Sequence, residues 1–321
     1  SRMNDSDTLL CQEDESCLNE KNYILGICSV SERDDENIQM LIQREAVTFQ
    51  TNSNCSLLKS EKSWFKCVRL DAIKWILNTG ASFGFHFCTA YLSLIYFDGF
   101  FLRRLIDDGK LWAIRLLSVA CLSLAAKMEE HKIPALSEYH VDDYNFEGNA
   151  IQRMELLILH TLEWKMSSIT PFAYLHYFTT KLCGECSHKE MVIRAIELIF
   201  AIIKEINVVQ NRPSIIAAAA VLAAYDSQLT NNELEIKMNT ISSWGSLEKE
   251  HIFSCYSLLQ EIGMLESNTP NSVVTPNLLL MPSSSTVVLV NSSLSTAGSK
   301  RILTYPDCDQ DCPTEKITQL Y

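Results

Sequence analysis

The stretch of sequence that decides the fold is LWAIRLLSVACLSLAAKMEE, which runs from Leu111 to Glu130. At 3.6 residues per turn, apolar and small side chains fall on one face of this stretch and also on the opposite face. A helix that is apolar almost all round is buried on every side, at the centre of a helical domain. It contains a single Arg, Arg115, and the other charges, including Lys127 and Glu129, gather at its C-terminal end. This charged end is the first place to look for a functional site.

Composition limits the possible partners of the chain. A chain of 321 residues with 47% hydrophobic residues can bury a sizeable core, in one large domain or two medium ones. The formal net charge of −12 argues against binding to nucleic acid, because the phosphate backbone requires a basic protein face. The longest uninterrupted apolar run, residues 215–225, is too short to cross a bilayer. We therefore expect neither nucleic acid nor a membrane as a partner.

Twelve cysteines are scattered along the chain without a regular framework. Several, such as Cys88 and Cys121, lie in apolar helical runs, where a thiol behaves as a small hydrophobic group. The polar, acidic start of the sequence does not resemble a signal peptide, so we expect reduced thiols. Cys183 and Cys186 form a CxxC pair, and a redox or metal protein that uses this pair is one alternative. A second pair of ligands is missing, so we expect no metal and no cofactor.

The two ends of the chain differ in composition from its middle. Residues 1–36 contain ten Asp and Glu against three basic residues and predict a disordered acidic arm. Residues 266–321 are rich in Ser, Thr, Asn and Pro and predict a disordered tail. Within this tail, Thr269 and Thr275 each precede a Pro and are candidate phosphorylation sites for proline-directed kinases.

The middle of the chain is helical throughout. Apolar residues recur at helical spacing and no segment alternates as a strand does, so the sequence predicts an all-α protein with two consecutive helical units. An N-terminal helix and the first unit occupy residues 37–182, and the second unit occupies residues 187–265. Asn78-Thr79-Gly80 predicts the end of one helix, and Pro171 and Pro213 predict helix starts.

A short motif lies in the acidic arm. Leu9, Cys11 and Glu13 stand in the order LxCxE, by which proteins dock on retinoblastoma-type pocket proteins. In an extended strand, Leu9 and Cys11 point to one side and can enter small apolar pockets, while Glu13 can accept hydrogen bonds from backbone amides. The acidic residues that follow would steer the segment towards a basic surface. This motif predicts a pocket-protein binding site.

From Arg69 to Trp164 the sequence resembles the first cyclin fold, and in detail a plant D-type cyclin. Arg69 precedes Trp75 by six residues, as in the family pattern M-R-A-I-L-x-D-W, and Tyr96-Phe97-Asp98 resembles Y-x-D-R-F. All five signature positions of the cyclin box appear in order, and they are Arg69, Asp98, Leu116, Lys127 and Glu155. The later segment RPSIIAAAA is similar to the second cyclin fold. The resemblance therefore implies two consecutive five-helix cyclin folds.

The resemblance also implies roles for the signature residues. Lys127 and Glu155 are implied to contact a kinase around its mobile regulatory helix, and an internal Lys–Glu salt bridge is an alternative that does not exclude this contact. Arg69 and Asp98 are expected to form a buried structural ion pair, and Leu116 is expected in the core.

The family also carries a groove that accepts Arg-x-Leu-type substrate peptides. The matching positions in this chain are Val68, Ala72, Trp75, Ile114 and Arg115. Three residues depart from the family pattern. Asp71 replaces an apolar groove residue, Lys74 replaces the Asp before Trp75, and Gly99 replaces the Arg after Asp98. We expect Asp71 and Lys74 to alter the groove and Gly99 to loosen its helix.

Taken together, these motifs predict a function in regulation rather than catalysis. The resemblance implies a cyclin that binds and activates a cyclin-dependent Ser/Thr kinase and recruits a retinoblastoma-related protein as substrate at the G1/S transition. A cyclin-dependent kinase inhibitor is a further implied partner, and a nuclear location, with a cytoplasmic pool, is also implied. The alternative within the same fold is a TFIIB-like transcription factor that binds DNA. Its zinc ribbon is missing from the sequence, and the acidic balance disfavours it.

Overall fold

The computed structural model describes residues 32–53, 63–104, 106, 109–141, 144–183, 188–226, 229–240 and 246–267. Across these ranges the chain forms ten α-helices and two short 3-10 turns. Within the same ranges there is no strand, and only an isolated bridge joins Val141 and Tyr144. The predicted all-α fold class is confirmed.

The ten helices follow one another closely in the sequence. In the first half they are α1 (Glu32–Ser53), α2 (Ser63–Phe83), α3 (Phe87–Arg103), α4 (Leu111–Glu129) and α5 (Gly148–Thr161). In the second half they are α6 (Leu175–Cys183), α7 (His188–Ile202), α8 (Pro213–Tyr225), α9 (Asn231–Met238) and α10 (Ser246–Ser267). The 3-10 turns span Leu136–Glu138 and Pro171–Tyr174.

The opening stretch of sequence forms the central helix α4. Every residue from Ala113 to Ala126 except Arg115 is buried, because α2, α3 and α5 pack around it. Leu116 lies in the core as expected. By length and composition alone, α4 could also span a membrane, but a buried core helix has the same composition, and its neighbours account for its apolar surface.

Helix α8 plays the same part in the second half. All residues from Ser214 to Leu222 are buried, and α6, α7 and α10 pack around them. The run Ala217–Ala220 allows these neighbours to approach closely, because Ala adds little beyond the helix backbone. Pro213 begins the helix, as predicted, at a position where the missing amide hydrogen costs nothing.

Two predicted helix boundaries near the first unit are wrong. Helix α2 does not end at Gly80 but continues to Phe83. Gly84 has a φ of 68°, and the amides of Gly84 and Phe85 donate to the carbonyls of Ala81 and Gly80 at 3.0 and 2.9 Å. This is the Schellman pattern, which requires a left-handed residue just after the helix, so Gly84 is the true stop signal. Helix α1 begins at Glu32, inside the segment for which disorder was expected.

Residues 171–183 do not form one continuous helix. A 3-10 turn from Pro171 to Tyr174 precedes α6, and the two together pack against α8. Helix α6 also packs against α7. The sequence grouped this segment with the first unit, whereas many of its contacts lie with the second.

Candidate functional site

Lys127 and Glu155 meet at the charged end of α4. Lys127 lies in the last turn of α4, where a cation is favourable for the helix dipole. Its ammonium donates to both carboxylate oxygens of Glu155, on α5, at 2.6 Å each. The Glu155 side chain is 9% exposed and the Lys127 side chain is 37% exposed. The internal salt bridge that the sequence left open is therefore present, and more than a third of the Lys127 side chain remains exposed.

Large apolar side chains stand exposed next to this pair in the sequence. Met128 follows Lys127, and Leu156 follows Glu155, and both are at least half exposed. Trp164, in the turn after α5, is 66% exposed. Exposed large apolar groups beside a fixed charge pair are typical of protein interaction surfaces. Sequence reasoning missed these three residues, although the position of two of them beside signature residues was a usable signal.

The turn that carries Trp164 has an unusual backbone. Glu163 and Trp164 have φ angles of 54° and 60°, in the left-handed region that residues other than Gly seldom adopt. The Trp164 amide donates to the carbonyl of Leu159 at 2.9 Å, and Lys165 pairs with the Glu163 carboxylate at 2.6 Å. The hydrogen bond from Lys165 lowers the pKa of Glu163. Strain of this kind tends to be kept where it positions a functional side chain.

The other charge at the end of α4 holds the neighbouring helix. Glu130 accepts hydrogen bonds from the amide of His86 and the hydroxyl of Thr89, both at 2.6 Å. These donors lie at the start of α3, where a carboxylate satisfies free helix amides and is favourable for the dipole. At this end of α4, Glu130 therefore acts as a structural cap for α3, whereas Lys127 is partly exposed.

Arg69 and Asp98 form the buried ion pair expected from the sequence. The Arg69 guanidinium donates from Nε and Nη2 to the two oxygens of Asp98, both at 2.8 Å. This bidentate geometry is the strongest arrangement for such a pair. Both side chains are almost fully buried. Their position inside the protein favours a structural role over partner contact.

The same pair also joins the two halves of the chain. Arg69 donates to the carbonyls of Ile203 and Ile206 at 2.9 and 2.8 Å. Asp98 accepts from the amide of Val208 at 3.0 Å. The pair thus satisfies the backbone of the segment that follows α7. These partners lie more than 100 residues away in sequence, so no local pattern could have shown them.

The positions matched to the peptide groove lie on α2 and α4. Val68, Ala72 and Ile114 are buried, and Trp75 is half-buried. Arg115 donates from Nη2 to Asp71 at 2.6 Å, in an ion pair whose Asp side chain is 58% exposed. Asp71 therefore engages Arg115, the one cation among the positions matched to the groove. The buried Nη1 of Arg115 has no hydrogen-bond partner among the residues that the structure describes.

Gly99 does not loosen its helix, contrary to the expectation from the sequence. Helix α3 runs unbroken from Phe87 to Arg103, and Gly99 is buried within it. A Cβ atom at Gly99 would lie 3.1 Å from Leu162 Cδ2. The missing side chain therefore permits close packing of the residue that ends α5. Arg103 donates back to the Gly99 carbonyl at 3.1 Å.

Several candidate residues lie outside the described part of the chain. These are Leu9, Cys11 and Glu13 of the LxCxE motif, Thr269 and Thr275 of the tail, and Cys186. Their assignments stay predictions, and so does the CxxC alternative. No cluster of three or more His, Cys, Asp or Glu suited to a metal ion occurs among the residues in the described ranges.

Of the two cysteines predicted to behave as small hydrophobic groups, Cys121 is fully buried, and Cys88 is partly buried and packs against the core. Within the described ranges, Cys67, Cys121 and Cys255 are free thiols, and Cys67 is exposed. Burial raises the pKa of Cys121 well above its usual value and that of Cys255 to about 11. A buried thiol with a raised pKa stays protonated and is a poor nucleophile.

Comparison with known proteins identifies the class to which this fold and site belong. Two family models match consecutive parts of the chain, "Cyclin, N-terminal domain" over residues 36–167 and "Cyclin, C-terminal domain" over residues 169–276. The chain therefore belongs to the cyclin family, whose members are regulatory subunits rather than catalysts. The models divide it just before the 3-10 turn at Pro171, earlier than residue 182.

Within that family, the chain is a plant D-type cyclin by its relatives. It is 36% identical to Cyclin-D5-1 of Arabidopsis thaliana over 96% of this chain and 95% of that relative. It is 45% identical to Cyclin-D5-1 of Oryza sativa subsp. japonica over 61% of this chain and 55% of that relative. It is 37% identical to Cyclin-D1-1 of Arabidopsis thaliana over 64% and 61%, respectively. The resemblance drawn from the signature residues is confirmed.

Proposed function

We propose that this cyclin binds and activates a cyclin-dependent Ser/Thr kinase and brings a retinoblastoma-related protein to it at the G1/S transition. The observation that carries the proposal is the Lys127–Glu155 pair with exposed apolar side chains beside it. Affinity purification of the full chain from dividing plant cells tests it directly. A cyclin-dependent kinase should be the main partner recovered, and recovery of promoter DNA instead would favour the TFIIB-like alternative.

The proposed mechanism is a shift between two states of the kinase. The kinase supplies ATP, magnesium and the catalytic residues, and its regulatory helix must move into place for activity. This chain binds the active arrangement of the kinase more tightly than the inactive one, and this difference in binding energy shifts the kinase to the active state. A preference of about 10⁴-fold for one state is enough to move a kinase from almost wholly inactive to almost wholly active. No group of the cyclin takes part in the chemical step.

The Lys127–Glu155 pair suits this role because it is already ordered. Glu155 fixes the Lys127 ammonium with two hydrogen bonds at 2.6 Å, so little side-chain entropy remains to be lost when a partner binds. The ammonium has a third donor that can bind a backbone carbonyl of the kinase through a charge-assisted hydrogen bond. Met128 and Leu156 then supply apolar contact area next to that hydrogen bond.

The second part of the proposal concerns the LxCxE motif. Recruitment through Leu9, Cys11 and Glu13 would tether the pocket protein to the cyclin and raise its local concentration at the kinase. Linked binding of this kind can raise overall affinity by about 10²–10⁴-fold without any new contact at the catalytic site.

Cys11→Gly should remove pocket-protein binding and leave kinase binding unchanged. An extended strand directs every second side chain towards its partner, and Gly has no side chain to fill the small apolar pocket there. Binding to both partners can be measured side by side by pull-down with the full chain. Cys17→Gly is a matched control, because the same substitution lies in the same acidic segment outside the motif. Equal pocket-protein binding by the two variants would contradict the assignment.

A third part of the proposal is that the groove on α2 and α4 binds Arg-x-Leu-type segments of substrates or of a cyclin-dependent kinase inhibitor. Trp75→Ala should weaken binding of such a peptide by about 10-fold or more, because aromatic anchors dominate peptide interfaces. Asp71→Ile should change the affinity as well, since it releases Arg115. Fluorescence anisotropy with a labelled peptide measures both effects.

The control for the groove is Ile236→Ala, which removes an exposed apolar side chain from α9 in the other half of the chain. Its peptide affinity should equal that of the unmodified chain. Peptide binding that is unaffected by Trp75→Ala would show that the groove is not the docking site.

We also propose that the complex acts in the nucleus, with a cytoplasmic pool, as the family resemblance implies. This expectation rests on the implied partners of the family, which are cyclin-dependent kinases and pocket proteins. A fluorescent fusion of the full chain that never enters nuclei of dividing cells would contradict it.

A further inference from the structure

Helix α1 has a small apolar contact with the rest of the protein. Among the described side chains of α1, which are those of residues 34–47, Ile38 and Ile42 are the large apolar ones that are fully buried, and Leu41 packs partly against the core. The other face of the helix carries Met40 and Val47, both exposed. By comparison, α4 buries thirteen residues along its length. Apolar contact alone therefore attaches α1 weakly.

A buried carboxylate on α1 provides the main polar attachment. Glu45 is only 4% exposed, although it is charged and lies on a helix near the surface. Its Oε2 atom accepts from the hydroxyl of Tyr174 and the amide of Ser214, each at 3.0 Å. Its Oε1 atom accepts from the Ser214 hydroxyl and from Arg212 Nε, the latter at 3.0 Å. Four donors thus satisfy one carboxylate, which is the condition for burying a charge.

A second carboxylate attaches the start of the same helix. Asp35 accepts from the hydroxyl of Tyr177 at 2.6 Å and from the ammonium of Lys181 at 3.1 Å. The hydrogen bond from Tyr177 and the nearby Lys181 charge lower the pKa of Asp35. Asp35 and Glu45 are ten residues apart, which is about 15 Å along the helix.

All these donors belong to one side of the molecule. Tyr174, Tyr177 and Lys181 lie on the 3-10 turn and α6, and Arg212 and Ser214 lie at the start of α8. Arg212 also donates from Nη1 to Glu248 on α10 at 2.8 Å. Within the described ranges, the side-chain partners of Asp35 and Glu45 therefore lie in the second half of the chain. The Arg69–Asp98 pair joins the two halves separately and involves no residue of α1.

We propose that α1 is a releasable strap that Asp35 and Glu45 attach to the second cyclin fold. It opens as a unit while the two folds stay joined through Arg69 and Asp98. Local opening of this kind is expected where few apolar contacts hold an element. The surface that opening exposes presents two phenol hydroxyls, an ammonium and a guanidinium. Its natural occupant is an acidic amphipathic helix, and α1 itself fills it in the closed state.

Native-state hydrogen exchange on the full, unmodified chain gives the first test. Amides in residues 38–47 should exchange at least about 100-fold faster than those in the centres of α4 and α8. This measurement needs no variant, so it decides the proposal even if a variant does not fold. Protection of α1 equal to that of α4 would overturn the proposal.

The second test changes the attachment itself. Glu45→Gln should speed exchange in residues 38–47 by a further factor of about 100, because it removes the charge that four donors were arranged to bind. Exchange in α4 and α8 should not change. Glu36→Gln is the matched control, because it is the same substitution at an exposed position of α1. Equal acceleration of α1 and α8 in Glu45→Gln would show that the helix is part of the second fold and not a strap.

Discussion

Replacing both Lys127 and Glu155 by Ala should abolish kinase binding while the chain keeps its helical circular dichroism spectrum. The double replacement removes both charges at once, so it leaves no unpaired charge at the buried Glu155 site. Truncation of the few residues that dominate an interface costs about 2–4 kcal/mol, which is a loss of about 30-fold to about 1,000-fold in affinity. Titration of the purified kinase against the variant by calorimetry measures this loss.

The matched control removes another ion pair of the same kind. Arg194 and Glu197 lie on α7 and pair at 3.1 Å, and their side chains are 51% and 33% exposed, respectively. Their double Ala variant should bind the kinase as the unmodified chain does, since an exposed pair contributes little to stability. If the Lys127–Glu155 variant binds the kinase as tightly as this control, the proposed surface is wrong.

Trp164 extends the same experiment to the apolar part of the surface. Its side chain is uncharged and exposes a large ring beside the end of α5. A kinase that docks there would cover this ring. The charge pair would then determine the orientation of the partner, and the apolar side chains would supply most of the affinity.

Asp98→Ala should destabilise the protein by about 3–5 kcal/mol, because it leaves the buried Arg69 without its counter-charge. It also leaves the Val208 amide without its acceptor. A loss of this size is a large part of the total stability of a typical domain, which is about 5–15 kcal/mol. The midpoint of urea unfolding should fall accordingly. Since the pair bridges the two halves, both should lose stability together.

Asp71→Ala is the control for this effect. Asp71 pairs with Arg115 at 2.6 Å, shorter than the Arg69–Asp98 contact, but its side chain is 58% exposed. Solvent screens such a pair, so its loss should cost less than about 1 kcal/mol. Similar unfolding midpoints for Asp98→Ala and Asp71→Ala would refute the structural importance of the buried pair. Replacing Arg69 and Asp98 together by Met and Leu should cost less than Asp98→Ala alone.

The comparison of these two ion pairs shows why distance alone does not rank interactions. The shorter contact at Asp71 is expected to matter less for stability, because water competes for both partners. The longer contact at Asp98 is dry, bidentate and connected to backbone groups of a distant segment. Burial and connectivity therefore decide the outcome, and neither can be read from the residue types.

Helical periodicity and the family motifs in the sequence were enough to predict most of the fold. The composition of LWAIRLLSVACLSLAAKMEE required a helix buried on all sides, and α4 is that helix. The Pro before IIAAAA marked the start of α8 for a local steric reason. The end of α2 was misplaced because two Gly residues lie close together, and only the backbone shows that Gly84 adopts the left-handed conformation.

The sequence by itself determined the all-α class, the central helices and the identities of Lys127, Glu155, Arg69 and Asp98. The class and the helices follow from local patterns, since a few neighbouring residues dictate helix formation and burial, and the four residues follow from the resemblance to the cyclin box. Only the tertiary structure decided what those residues contact. It shows that Lys127 binds Glu155, that Arg69 reaches Ile203, and that Glu45 attaches α1 to Arg212 and Ser214. Contacts over such separations depend on how helices pack, which no local pattern in one sequence specifies.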